Sequence, residues 1–116
     1  MATEAVSDVV STLVAEIVER FDPDRVVLFG SHATGQADEG SDVDLLVVMS
    51  TRLRPLQQAA AISRELDHRI PVDILVRTPQ QVASPDPRDL ILRTILREGV
   101  IAYEAGNRRV DSSRRS

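Results

Sequence analysis

Apolar positions along the chain follow two rhythms. From residue 3 to about residue 20, Val6, Val9, Val10, Leu13 and Ile17 recur at helical spacing with acids on the opposite face. That predicts a helix capped by Thr3 and ended at Phe21-Asp22-Pro23-Asp24, since proline cannot continue one. Three apolar runs predict buried strands: "RVVLFG" (25–30), "DVDLLVVM" (42–49) and "PVDILV" (71–76). In the third, Pro71 stands first, where its missing N–H does least harm. Between the first two strands, residues 31–37 have room for one or two helical turns, and "QADEGS" (36–41) is a polar loop. Residues 50–55 form a connection. Leu56, Ala59, Ala60, Ile62, Ser63 and Leu66 then predict an amphipathic helix over 56–69. After the turn "SPDP" (84–87), a last helix spans 89–98 and is closed by Gly99. "VIAYEA" (100–105) is a short edge strand. Residues 107–116 show no periodicity and read as a disordered tail.

Strands alternating with helices predict an α/β domain. The first two strands are joined too briefly for a crossover helix, so the expectation is a mixed β-sheet flanked by helices. One domain over 1–105 and an arginine-rich tail over 106–116 follow. At 116 residues, with 42% hydrophobic and 28% charged side chains, the chain can bury a core without staples.

Charge and composition narrow the chemistry. Cysteine is absent, which excludes disulfides, thiolate metal sites and a cysteine nucleophile. All 14 basic residues are arginine, which removes a P-loop lysine and a Schiff base. A net charge of −4 and 3% aromatics argue against a direct grip on nucleic acid or a base-stacking platform. Acids interrupt the first helix, no signal-peptide pattern is seen, and no apolar window approaches the roughly 20 residues of a membrane span. A cytoplasmic protein is expected.

Against that background the acids in the apolar runs stand out. Alternation on a strand places Asp42 and Asp44 on the same side. Two like charges about 4 Å apart repel by roughly 4 kcal/mol even at an effective dielectric of 20. Solvent, protonation of one acid, or a cation between them would relieve this. "DVD" alone reads as a solvated pair of loop acids. Asp73 sharpens the choice, because it interrupts "PVDILV" and faces the pair if the two strands are neighbours. Three carboxylates form an oxygen-rich cage suited to Mg²⁺ or Mn²⁺. Magnesium shares its ligands with substrate phosphates, which points to nucleotides. Gly30-Ser31, at a strand-to-helix turn, offers backbone amides and a hydroxyl to an anion, or else an ordinary cap. Gly35 and Gly40 let the following loop bend. An anion site at one strand end and a cation site at the next describe a metal–triphosphate.

"GSHATGQADEGSDVDLLVV" followed by "VDILV" resembles the minimal nucleotidyltransferase (MNT) domain of the DNA polymerase β-like superfamily. "ILREGVIAYE" resembles the usual end of these small domains. The resemblance implies the polymerase β-like fold, ATP as substrate and two divalent ions. Asp42 and Asp44 would bridge the metals, and Asp73 would bind the second and help deprotonate the attacking hydroxyl. Gly30, Ser31 and Ser41 would hold the nucleotide, with Gly30 and Ser31 at the β- and γ-phosphates. The products would be an AMP ester and pyrophosphate.

Thr34 departs from the pattern: stand-alone members often carry arginine there, near the triphosphate. His32 reads as a surface residue of the intervening loop or else a phosphate contact, His68 as structural or exposed, and Tyr103 as core or edge packing. Larger relatives close a second domain over the base and acceptor, so a partner or a second copy is expected to complete this site, as a hetero-oligomer or homodimer. Small solitary members resemble the MntA-type antitoxins of MNT–HEPN toxin–antitoxin pairs, which transfer AMP to a tyrosine of a HEPN ribonuclease toxin. The resemblance thus implies a cognate HEPN-type toxin as partner. Two alternatives stay open: an aminoglycoside-type small-molecule acceptor, and a non-catalytic antitoxin that acts by binding alone.

Overall fold

A computed structural model of the chain describes residues 2–37, 41–66 and 71–105, with side chains described from residue 8 onward. The expected Thr3 cap, Gly40, His68 and the 106–116 tail fall outside those residues or side chains. Five helices and four strands follow in order: α1 (Ala2–Phe21), β1 (Arg25–Phe29), α2 (Ser31–Thr34), β2 (Val43–Val48), α3 (Pro55–Glu65), β3 (Val72–Arg77), α4 (Pro79–Ala83), α5 (Leu90–Glu98) and β4 (Val100–Glu104).

The strands form one sheet in the order β3-β2-β1-β4. β1 is antiparallel to both β2 and β4, whereas β2 and β3 are parallel and joined across α3. The mixed sheet follows from the connections: the short β1–β2 link can only turn the chain back, while a helix intervenes before β3.

Each face of the sheet has its own helices. Val43, Leu45 and Val47 pack with Val26 and Val76 against Leu13, Val14 and Ile17 of α1 and Ala59 and Ile62 of α3. Val27, Leu46 and Val48 pack on the other face against Leu92 and Ile95 of α5. Cover on both sides is why β2 is apolar at successive positions rather than alternating. Each fully buried leucine, isoleucine or valine contributes about 1.5–3 kcal/mol.

Helix boundaries have local causes. α1 ends where Asp22, at φ 47°, takes a left-handed conformation and donates its N–H to the Val18 carbonyl, with buried Pro23 following. α3 is shorter than expected, and Leu56 (83% exposed) and Ala60 face solvent. Its inward stripe is Ala59 and Ile62, with Leu66 just beyond the helix, beside a buried Gln58 whose Oε1 accepts the Thr51 hydroxyl at 2.5 Å. α4 was not expected. Thr78 Oγ1 accepts the Gln81 N–H, Gln81 Oε1 accepts the Thr78 N–H, and Pro79 stands in the first turn. Gly99 closes α5 without a left-handed φ. A side chain there would meet Val27 Cγ1 and the Ile95 carbonyl, both at 2.6 Å, so close approach to β1 selects glycine.

Candidate active site

The three aspartates gather at the end of the sheet where β2 and β3 begin. In the parallel register Asp44 lies beside Asp73, as Val43 lies beside Val72. Neighbouring strands run roughly 4.8 Å apart, so both carboxylates leave the sheet side by side. Their face is the one that carries Leu46 and Val48 and is covered by α5 further along the strands. Asp42 precedes β2 and is exposed, as is Asp73, while Asp44 is part-buried. On its other side Asp44 pairs with Phe29, the last residue of β1.

The electrostatics mark Asp44 as the focus. Burial, first, and then the negative charges of Asp73 and Asp42 push its carboxyl above the ordinary value of 3.8, with His32 opposing the shift. Both neighbouring acids therefore lie close enough for their charge to reach Asp44. Among the described residues, none of the three forms an ion pair with an arginine.

Gly30 sits directly on this group. Its φ of 75° and ψ of −155° belong to a region that essentially only glycine occupies. A Cβ built there would collide with Asp44 Oδ2 and lie 3.1 Å from its Cγ. Glycine is thus required twice, by conformation and by the carboxylate packed against it. Ser31 opens α2, where Ala33 N–H donates to the Gly30 carbonyl at 3.0 Å. The preceding amides, of Ser31 and His32, come before the first intrahelical donor and so have no partner within the helix. Gly35 ends the short helix at φ 79°. Thr34 is exposed, and its hydroxyl donates to the Ser31 carbonyl at 3.3 Å.

His32 is not a surface loop residue as expected. It lies on α2, part-buried, with Nε2 3.3 Å from the Ser41 carbonyl oxygen and Nδ1 buried without a partner. That contact joins α2 to the backbone just ahead of Asp42.

The donor set fits a hard divalent cation. It consists of carboxylate oxygens, carries an uncompensated negative charge, and holds Asp44 at a cost that a cation would relieve. The expected closed cage is not present: among the described residues no three acidic or histidine side chains already converge around a point. An open edge nevertheless suits magnesium, which keeps several waters and is usually held by one or two carboxylates plus substrate phosphates.

A cleft of about 430 Å³ lies elsewhere, between Asp24, Arg25, Val48, Pro79, Val82, Ala83 and Glu104. It is at the opposite end of β2 from the aspartates, and its Arg25 and Glu104 are paired at 2.9 Å. Arg25 and Glu104 satisfy each other there, so the carboxylate edge remains the candidate. No helix among the described residues is long and apolar enough to cross a membrane.

Comparison with known proteins bears on the family and the fold. The family model of the nucleotidyltransferase domain matches residues 10–102. Among solved structures, a provisionally assigned nucleotidyltransferase from Sulfolobus solfataricus matches with a TM-score of 0.64 and 19% identity, over 90% of this chain and 85% of that one. At that identity the likeness concerns the fold. No curated protein matches the chain significantly.

Proposed function

Since the chain belongs to the nucleotidyltransferase domain family, we propose that it transfers AMP from ATP to a protein hydroxyl, a tyrosine of a HEPN-type ribonuclease toxin, and so acts as the antitoxin of that pair. The observation that carries the enzymatic part is the side-by-side placement of Asp44 and Asp73, with Asp42 adjacent and Gly30-Ser31 against them.

Asp42, Asp44 and Asp73 would hold Mg²⁺ or Mn²⁺. When bound, such ions neutralise charge on the phosphates and ease ionisation of the attacking hydroxyl. The amides at the start of α2 and the Ser31 hydroxyl orient the β- and γ-phosphates, and Ser41 stands beside them. Asp73, at the open edge of the sheet, accepts the proton of the acceptor hydroxyl. The hydroxyl oxygen bonds to the α-phosphorus, the bond to the β-phosphate oxygen breaks, and pyrophosphate leaves with that electron pair. β1, β2, β3 and α2 keep these groups on one rigid base, so little of the binding energy is spent on ordering them.

Support for a protein acceptor comes from the resemblance and from charge. A net charge of −4 complements a basic, RNA-gripping surface, and the carboxylate edge is open enough to receive a side chain from another chain. The test is co-expression with the protein encoded beside its gene, followed by α-labelled ATP and Mg²⁺. Label is expected on the partner with the wild type and not with Asp42→Asn plus Asp44→Asn. Equal neutralisation of the partner by both, with no label on either, would sink the enzymatic reading and leave binding alone.

A further inference from the structure

Asp42 is the least constrained of the three carboxylates. It precedes the ladder, whose first described bond at this end is Val43 N–H to the Pro71 carbonyl at 2.9 Å. On its N-terminal side it follows Ser41, and Ser41 is where His32 reaches across. A carbonyl oxygen only accepts, so His32 Nε2 carries the proton and donates it, over 3.3 Å. The imidazole is thereby fixed between α2 and the entrance to β2, near enough to Asp44 to act on its carboxyl. Its other nitrogen is buried and has no partner in the protein. Burying a ring nitrogen without a partner is unfavourable, so the ring is held there for what Nε2 does.

We infer that His32 is a positioning residue for the cation site: the Nε2–H bond to the Ser41 carbonyl ties α2 to the backbone ahead of Asp42 and keeps that residue near Asp44. The tie links the two halves of the site, because α2 also begins with Gly30-Ser31. Loss of the tie leaves Asp44 and Asp73 in their ladder and releases Asp42 alone. A cation then keeps two of its three carboxylates at fixed positions. This rests on the reading that the aspartates hold a divalent ion, so the test separates the two.

The probe is Mn²⁺ alone, its binding followed by loss of the free-ion paramagnetic resonance signal, with thermal melting measured in parallel. A glutamine amide reaches about as far as Nε2 and can restore the donor, whereas an asparagine amide reaches only as far as Nδ1. His32→Ala and His32→Asn are expected to weaken Mn²⁺ binding roughly tenfold, as loss of a group supporting a metal ligand does. His32→Gln is expected to stay near wild type, and Asp44→Asn to lose binding. If Asp44→Asn loses Mn²⁺ while His32→Ala keeps wild-type binding, the His32 inference fails and the site stands. Should Asp44→Asn bind like wild type, both fail. Equal loss in Gln, Asn and Ala would show that the ring matters for packing and overturn the tie. Where His32→Ala melts too early to titrate, the contrast between Gln and Asn decides.

Discussion

The α5 side of the sheet carries charge at both ends, and the two ends treat it in opposite ways. At one end Asp89 is met by Arg77 through two bonds, Nε to Oδ2 at 2.7 Å and Nη2 to Oδ1 at 3.2 Å, and also caps α5 by accepting the Leu92 N–H. Arg25 and Glu104 pair nearby. The arginine bond, above all, holds the Asp89 carboxyl below its ordinary value. At the other end Asp44 is pushed up by burial and by Asp73 and Asp42. An acid that serves the fold is neutralised by the fold. Acids left to repel one another across adjacent strands serve something the fold does not contain.

Removing Asp44 breaks that contrast most directly. Asp44→Asn should cut nucleotidyl transfer by roughly a hundredfold to a thousandfold, the scale of losing one preorganised electrostatic group. The same change should leave the melting temperature unchanged or raise it, because the ionised form is the one disfavoured by the fold. The sign follows from the raised carboxyl: its cost is fully present above the folded-state value and disappears as pH falls to the ordinary one. Mg²⁺ at ten times its dissociation constant should stabilise the wild type by about 1.4 kcal/mol at neutral pH, and the Asn variant much less. A large drop in stability for Asp44→Asn would place this residue with Asp89 instead.

Gly30→Ala tests the same end through the backbone. A positive φ costs a non-glycine residue about 1–3 kcal/mol, and the new Cβ also strikes the Asp44 carboxylate. Adding Asp44→Ala should remove the collision and keep the strain, so denaturant melts of the double variant should recover part of the loss. Full additivity would mean that the carboxylate does not rest on Gly30. At the paired end, Asp89→Asn keeps a capping amide oxygen for α5 but should cost about 1–2 kcal/mol by losing the charge-assisted pair with Arg77. Here the sign reverses: Asp89 stabilises above its unfolded value and loses that contribution as pH falls through its lowered folded value. Urea melts across acidic pH would show the wild type converging on the variant.

How far these two ends were legible in sequence follows from the signals each sends. The apolar runs of β1, β2 and β3 announced strands, but burial was overread: β2 is buried along most of its length, whereas β3 lies at the sheet edge with only Val76 buried. The short β1–β2 link announced the mixed sheet. Asp73 was legible because an acid between valine and isoleucine is conspicuous, although its register with Asp44 needed the structure. α4 was missed despite a usable signal, since Thr78-Pro79 with Gln81 three positions after the threonine is a capping box with proline in the first turn. Leu56, Leu90 and Ile91 look inward by composition, but helix phase leaves them 83%, 66% and 56% exposed. His32 escaped because its partner is a backbone carbonyl nine residues away, and no side-chain pattern encodes such a bond. The Arg77–Asp89 pair escaped for a similar reason, with α4 lying between the two residues.

The smallest expected effect falls on Thr34, where the open end carries no arginine. Thr34 is exposed at the end of α2, and its hydroxyl makes only a local bond to the Ser31 carbonyl. Thr34→Arg should therefore fold normally and place a guanidinium beside the anion-facing start of the same helix. An exposed charge contributes about 1 kcal/mol or less, so ATP should bind roughly threefold to fivefold more tightly at low salt. The gain should shrink as ionic strength shortens the screening length. Calorimetric titration with ATP at two salt concentrations measures both. If affinity is unchanged at either, the triphosphate does not lie over α2, and the phosphate role of Gly30-Ser31 must move elsewhere while the carboxylate group keeps its own.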